Sequence, residues 1–187
     1  MFDLRAVIMT VALALAGPLA AQAPAIPGQQ ASGPIIQSTG MSIKVDNPTF
    51  TVPDGHVFKA VFVIDAGGTD TVRVNAQLTT LARFYNVHAR HGYPEERVGA
   101  AAVVHGNGWQ SLLTDDAYAA RFGGKPNPSR TLVEELVKHG AQVVLCGQTA
   151  GARGIRRDEL IPGVKVAISA MTALNVLQAD GYRFNPW

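Results

Sequence analysis

The sequence predicts an α/β fold in which a mostly parallel sheet carries helices on both faces. Four short apolar runs, rich in valine and alanine, have the length of buried strands. They alternate with segments of roughly 10 to 20 residues whose apolar positions repeat with a helical period, and this alternation is typical of βαβ units. The chain has 187 residues, of which 47% are hydrophobic, so it is long enough for one domain with a substantial core.

The first half of the chain supplies two strands and a long helix. A strand is predicted over 58–65, and the helix after it ends near Gly92 and Pro94. The apolar face of this helix consists of Val74, Leu78, Leu81 and Tyr85. A second strand is predicted over 100–104, and it leads into a glycine-rich loop over 105–109. The end of such a strand is a place where loop side chains can reach a ligand.

The second half begins with two helices and ends with a strand and a helix. One helix is predicted over 112–122, and the next is capped by Asn127 and closes at Gly140. The last strand is predicted over 164–168, and Ser169 is expected to cap the helix that follows it. The tail after this helix shows no further element.

The stretch 142–157 carries the main candidate for chemistry. Its apolar start, 143–145, is a predicted strand, and Cys146, the only cysteine of the chain, comes directly after it. Thr149 is expected to cap a short helix beyond the turn. A cysteine in this position would lie where open parallel sheets bind ligands, and the N–H groups of the helix would favour its thiolate.

Two further residues are candidates to act with Cys146. His105 follows the second strand, so in a parallel sheet it would lie at the same edge and could exchange a proton with the sulfur. Arg153 follows within about two helical turns, where its charge would stabilise a thiolate. We therefore expect an accessible thiolate at the mouth of a crevice. The alternatives are a buried structural cysteine and a histidine that only binds loop carbonyls.

Composition and motifs exclude several other classes of function. The net charge is +2, with acids and bases interspersed, which is too weakly basic for a nucleic-acid-binding protein. His88 and His91 lie on one helix, but neither carboxylates nor a cysteine accompany them at ligand spacing. The phosphate-binding patterns GxGxxG and GxxxxGK[ST] are missing from the sequence. We expect no cofactor, no metal and no nucleic-acid partner.

Residues 1–23 have the pattern of a signal peptide. Arg5 precedes an apolar run over 6–17, and small residues follow, as signal peptidase requires. The run is shorter than the ~20 residues of a membrane span, so we expect no stable membrane insertion, with an uncleaved anchor as the alternative. The protein should be periplasmic or otherwise exported. A single cysteine in an exported protein implies a free functional thiol or an intermolecular partner.

Residues 24–56 are predicted to form a Pro/Gly-rich extended arm ahead of an α/β domain over 57–187. The second part of the arm carries apolar side chains that a disordered tail would not need. These side chains are Ile35, Ile36, Ile43, Val45 and Phe50. We expect the arm to pack on its own domain or on a neighbouring subunit.

Six runs of the sequence resemble the DsrE/DsrF-like family, in particular its exported single-domain members. The runs are GPII at 33–36, VVHGNG at 103–108, DDAYAARFG at 115–123, NPSRTLVEEL at 127–136, VVLCGQTAGARG at 143–154 and ELIPGVKVAISAMTALNVLQADGY at 159–182. The Cys-Gly-Gln stretch followed by Arg-Gly, and the Pro-Gly-Val-Lys-Val run, are specific in combination. The resemblance extends from about Gly33 to the C-terminus.

The resemblance implies a three-layer α/β/α sandwich with a mostly parallel four- to five-stranded sheet, assembled as a homo-oligomer, most often a trimer or hexamer. It also implies sulfur transfer, because the best-understood branch of the family carries sulfur as a persulfide on a cysteine, and Cys146 stands at that motif position. Cys146 would then be the carrier, with Arg153 and His105 as its helpers and an unknown protein as sulfur donor or acceptor. The alternative is a non-catalytic oligomeric binding or assembly module.

Overall fold

The computed structural model describes residues 28–68 and 70–186. In these ranges the chain forms a five-stranded sheet whose neighbouring strands all run parallel. The strands are β1 (Phe58–Ile64), β2 (Val98–Val104), β3 (Gln142–Cys146), β4 (Lys165–Ala167) and β5 (Arg183–Phe184). Their order across the sheet is β4-β3-β2-β1-β5. The predicted signal peptide, residues 1–23, lies outside the described residues.

Helices cover both faces of the sheet, which confirms the predicted three-layer α/β fold. The helices are α1 (Ala76–Arg90), α2 (Asp115–Arg121), α3 (Arg130–Lys138), α4 (Gly147–Ala152) and α5 (Ala170–Ala179). On one face, α1, α2 and α3 bury a large core, and on the other face α5 covers a smaller one. No described helix has the length and apolar character needed to cross a membrane.

The central strands are apolar on both sides because both sides are covered. The larger core includes Phe62, Ile64, Leu78, Leu81, Leu132 and Leu136, all of them almost completely buried. The smaller core consists of Val61, Ala101, Val103, Val144, Ala173 and Leu177. Continuous Val/Ala runs in the sequence therefore correspond to the strands at the centre of the sheet.

The ends of several elements differ from the sequence-based predictions. The helix after β3 begins at Gly147, with Cys146 itself at the N-cap position, so the predicted capping role of Thr149 is wrong. The N-cap residue of α3 is Ser129 rather than Asn127, because the Asn127 side chain instead accepts a hydrogen bond from the Ser129 N–H, at 2.9 Å. The predicted cap on α5 is confirmed, since Ser169 accepts a hydrogen bond from the N–H of Thr172.

Two further differences concern short elements. The predicted helix over 112–122 is divided, because Gly108–Leu112 forms a 3₁₀ helix and α2 begins only at Asp115, behind the cap residue Thr114. The tail, for which no element was predicted, contains β5. This strand forms through pairing with β1, a long-range contact to which the local sequence gives no clue.

Helix α1, together with Glu135 of α3, holds the described part of the arm. The fully buried Asn86 side chain accepts hydrogen bonds from the N–H groups of Ile35 and Ile36, at 3.2 and 2.8 Å. It also donates to three arm carbonyls at 2.8 to 3.1 Å. One turn later, Arg90 donates to the carbonyls of residues 31–33 at 2.6 to 3.0 Å. The arm packs on its own subunit, which is one of the two arrangements that the sequence left open.

Candidate functional site

Three strand ends lie side by side at one edge of the sheet. The last registered row of β1, β2 and β3 consists of Ile64, Val104 and Leu145. The next position along each chain segment is Asp65, His105 and Cys146, respectively. Neighbouring strands are ~4.8 Å apart, so the backbones of these three residues start out next to one another. We refer to Asp65, His105 and Cys146 as the edge row.

The Cys146 thiol is unpaired and buried, with 6% of the residue exposed. The turn after β3 packs directly against the turn after β4. A Cβ atom on Gly147 would lie 2.4 Å from the carbonyl oxygen of Ala167, and Gln148 Nε2 donates to the carbonyl of Ile168 at 3.1 Å. Because of this packing, the expectation of an accessible cysteine is wrong.

The surroundings of the sulfur nevertheless favour its ionised form. Burial raises the pKa of Cys146, but the backbone N–H groups of Thr149, Ala170 and Gln148 and the Thr149 hydroxyl together outweigh it, and the pKa lies below its ordinary value. Ala170 is the first residue of α5, and Gln148 and Thr149 lie in the first turn of α4. The sulfur is therefore polarised by the N-terminal ends of two helices, and the thiolate is the nucleophilic form of cysteine.

The other two predicted site residues, His105 and Arg153, belong to the loop after β2 and to the end of α4, respectively. His105 is at the same edge of the sheet as Cys146, and its backbone N–H donates to the carbonyl of Ile64 at 2.9 Å. Arg153 is exposed, and its Nη2 lies 3.4 Å from Oδ1 of Asn107, in the loop after β2. The groups that lower the pKa of Cys146 most are N–H and hydroxyl groups, and the Arg153 charge is not among them.

The sequence-based reasoning did not identify Asp65 as a site residue. Its carboxylate accepts a hydrogen bond from Gln77 Nε2 at 2.9 Å, while Gln77 Oε1 accepts from the N–H groups of Asp65 and Ala66, both at 3.0 Å. The Gln77 hydrogen bond, with a smaller contribution from the charge of His105, lowers the pKa of Asp65. A signal was present in the sequence, because Asp65 ends an apolar strand just as Cys146 does.

A buried hydrogen-bond network fixes the loops around the edge row. The Asn75 side chain donates to the carbonyl of Ala66, at 2.8 Å, and to Oγ of Ser111, at 3.0 Å. The Asn75 N–H donates to Oγ of Ser129, also at 3.0 Å. These bonds join the loop after β1, the loop after β2 and the start of α3. The edge row is therefore held on a rigid support.

A groove of about 770 Å³ lies between α5 and the neighbouring strands β3 and β4. It does not include the edge row, but its lining includes Ile168, which directly follows the strand residue that pairs with Cys146. Ile168, Met171 and Val176 expose large apolar side chains along this side of the molecule. Over residues 28–68 and 70–186, no cluster of three or more His, Cys, Asp or Glu side chains has the geometry to hold a metal ion.

These features define a class: a parallel three-layer α/β domain with one buried, polarised cysteine at the carboxyl ends of its strands. The model of the DsrE/DsrF-like family matches residues 59–185. This match covers most of the chain, and the protein belongs to the DsrE/DsrF-like family. No curated protein matches the chain.

Two solved structures are similar to this chain. Protein MTH1491 of Methanobacterium thermoautotrophicum has a TM-score of 0.53 and 22% sequence identity, over 70% of this chain and 99% of its own. The YchN protein of E. coli has a TM-score of 0.45 and 16% identity, over 70% of this chain and 100% of its own. At such identities the likeness to MTH1491 establishes a shared fold.

Proposed function

We propose that this protein handles sulfur, and that Cys146 takes up a sulfur atom as a persulfide and passes it to an acceptor. The observation that carries this proposal is the polarised state of the thiol, whose pKa is lowered although the residue is buried. Membership of the DsrE/DsrF-like family is in keeping with a role in sulfur relay. A structural cysteine in an apolar core would have a raised pKa.

The chemistry follows thiol–disulfide exchange. The Cys146 thiolate attacks the outer sulfur of a persulfide or polysulfide donor, the sulfur–sulfur bond of the donor breaks, and its electron pair leaves on the donor thiolate, which takes up a proton. The product is a Cys146 persulfide, and the reaction needs neither oxidant nor reductant. Attack by an acceptor thiolate on the terminal sulfur of this persulfide regenerates the Cys146 thiolate.

The burial of Cys146 limits what can reach it. Because only 6% of Cys146 is exposed, a broad protein surface reaches the sulfur only if the turns after β3 and β4 separate, whereas a small anion needs a smaller opening. Loading by a small inorganic polysulfide should therefore be measured first. The donor and acceptor proteins of a relay would be found afterwards by their dependence on Cys146.

The test is mass spectrometry of the purified native protein after incubation with tetrasulfide. We expect added mass in steps of ~32 Da, one sulfur atom each, located on the peptide that contains Cys146. The Cys146→Ser variant should carry none, and it should fold, because the side chains are almost equal in size. If the wild-type protein stays unmodified while a small free thiol reacts under the same conditions, the proposal is wrong, and the non-catalytic binding or assembly module is the remaining interpretation.

We also propose that the protein is exported, on the basis of the signal-peptide pattern over residues 1–23. Export would keep Cys146 away from cytoplasmic reductants, and as the only cysteine it has no intramolecular partner for a disulfide. N-terminal sequencing of the protein from its native cell should find a start after Ala21 or Ala25. Recovery of intact Met1 in a membrane fraction would contradict the proposal.

A further inference from the structure

The groove between α5 and the strands β3 and β4 has an apolar floor. Val144 of β3 and Ala173 and Leu177 of α5 line the groove, and only 7 to 8% of each residue is exposed. The volume of about 770 Å³ lies in the usual range of small-molecule sites, which are mostly apolar and use a few polar groups to orient the ligand. An apolar ligand that displaces water from this floor would gain free energy.

Two lysine side chains lie at one end of this groove. Lys59 is near the start of β1 and Lys165 begins β4, and both residues line the groove. Lys165 pairs in register with Val144, and Lys59 precedes Val61 of the smaller core by two residues. Because side chains alternate along a strand, both lysines project from the face of the sheet that α5 covers. Positive charge and apolar floor therefore belong to one surface.

Neutral groups hold both ammonium groups in place. Lys59 Nζ donates to the carbonyl of Asp180 at 3.1 Å and lies 5.3 Å from the centre of the Tyr182 ring. Lys165 Nζ donates to Oε1 of Gln142 at 2.6 Å. In the described part of the chain, neither lysine forms an ion pair with a carboxylate. The groove thus ends at two positive charges that lack a counter-ion within the fold.

We propose that the groove binds an aliphatic carboxylate, whose anionic end lies against Lys59 and Lys165 and whose unbranched chain covers the apolar floor. The two lysines select the anion, because a cation of the same shape would be repelled by them. Asp180 also lines the groove, and its carboxylate reduces this preference, but one negative charge faces two positive ones. The proposed site does not include the edge row, so the inference is independent of the sulfur-carrying function.

The extent of the groove along the sheet sets the length of the chain. Its lining begins at Gln142 of β3 and reaches Ile168, just beyond the strand residue that pairs with Cys146. The path from Gln142 to Cys146 along β3 corresponds to about 13 Å, at ~3.3 Å for each strand residue. This distance suits a medium-length chain such as that of decanoate.

The test is isothermal titration calorimetry of the purified native protein with decanoate, below the concentration at which decanoate forms micelles. Decyltrimethylammonium, which has a chain of the same length and the opposite charge, should bind at least about tenfold more weakly. The Lys59→Met/Lys165→Met variant should also bind decanoate at least about tenfold more weakly. Lys138→Met, at an exposed position on α3, is the matched control and should bind as the wild type does.

Three comparisons test the two ends of the site separately. Asp180→Asn removes the opposing negative charge and should strengthen decanoate binding by about twofold. Octanoate, which is shorter by two methylene groups, should bind roughly tenfold more weakly than decanoate. Val176→Trp, at an exposed position of the groove lining, should weaken binding because the larger side chain fills space that the ligand needs.

Several results would overturn the proposal. These are a wild type that does not bind decanoate, equal affinities for decanoate and decyltrimethylammonium, and unchanged binding by the double lysine variant. Light scattering at each protein concentration adds a further one, because decanoate that binds only to dissociated protein would show that a second copy of the chain fills the groove. Tetrasulfide loading of Cys146 is measured separately, so the failure of either proposal leaves the other unaffected.

Discussion

Gly147 lies so close to Ala167 that a Cβ atom at residue 147 would come within 2.4 Å of the Ala167 carbonyl oxygen. This approach brings the turn that contains Cys146 against the end of β4. Side-chain atoms do not reach such a distance without displacement of the backbone. The contact therefore makes glycine a requirement of the site.

The Gly147→Ala substitution should destabilise the protein by about 1 to 3 kcal/mol, because the added methyl group forces the two turns apart. The same displacement should expose Cys146 and remove N–H groups from its sulfur. Denaturant unfolding measures the first effect, and the rate of alkylation near pH 7 measures the second. Gly151→Ala, on the open side of the same helix, is the matched control and should be neutral or stabilising by up to ~1 kcal/mol. Equal behaviour of the two variants would contradict the close-contact interpretation.

Asn86→Ala should weaken the attachment of the arm to α1. The substitution leaves five arm backbone groups without their partner in a fully buried position, so we expect a loss of about 2 to 4 kcal/mol. Limited proteolysis should then cut within residues 28–50 much faster than in the wild type. Asn175→Ala, at an exposed position on α5, should change neither quantity, and an arm that stays protected in Asn86→Ala would show that other contacts suffice.

Protonation of His88 should weaken the fold in mild acid. Burial among aromatic rings lowers the pKa of His88, while its bond to the Phe84 carbonyl acts in the opposite direction. Because the unfolded chain binds this proton more readily, the contribution is complete above the ordinary histidine value of about 6.5 and decreases as the pH falls below it. The denaturant midpoint of the wild type should decrease as the pH falls from about 7.5 to about 5. His88→Phe, which keeps the ring packing, should make the midpoint less dependent on pH. An identical pH dependence in both proteins would show that a group other than His88 causes the loss of stability.

The exposed apolar side of α5 should mediate self-association. Ile168, Met171 and Val176 are 76%, 79% and 52% exposed, and exposed apolar side chains grouped in this way commonly mark interaction sites. We expect light scattering at micromolar concentration to give a homo-oligomer, with a trimer or hexamer as the predicted size. The double variant Ile168→Glu/Met171→Glu should be smaller, whereas Val72→Glu, at an exposed position in the loop after β1, should assemble normally. A wild-type monomer would refute the prediction.

The central part of the fold could be predicted from the sequence because its signals are local. Continuous apolar runs identify β1, β2 and β3, since strands covered on both faces need no polar alternation. The position of Cys146 at a strand end follows from the same reasoning, and so does the Ser169 cap of α5.

The remainder depends on contacts between distant residues. The arm is fixed by Asn86, about fifty residues further along the chain, and nothing in the local sequence marks that asparagine as an arm-binding residue. The burial of Cys146 arises where Gly147 meets Ala167. The Asp65 carboxylate is held by Gln77, which folds back onto it, and a hydrogen bond of this kind has no sequence pattern of its own.

The pairing of β5 with β1 has a consequence for the folding of the chain. Ala60 and Val61 pair with Arg183 and Phe184, and the N–H of Asn185 donates to the Val61 carbonyl at 2.9 Å. A folding chain can assemble β1 with β2 early, but the outer edge of β1 stays open until the segment around residue 183 has joined the sheet. An open strand edge can pair with other chains. The step most exposed to aggregation is therefore the closing of this edge by β5, and a chaperone that binds extended segments would give the most protection before it.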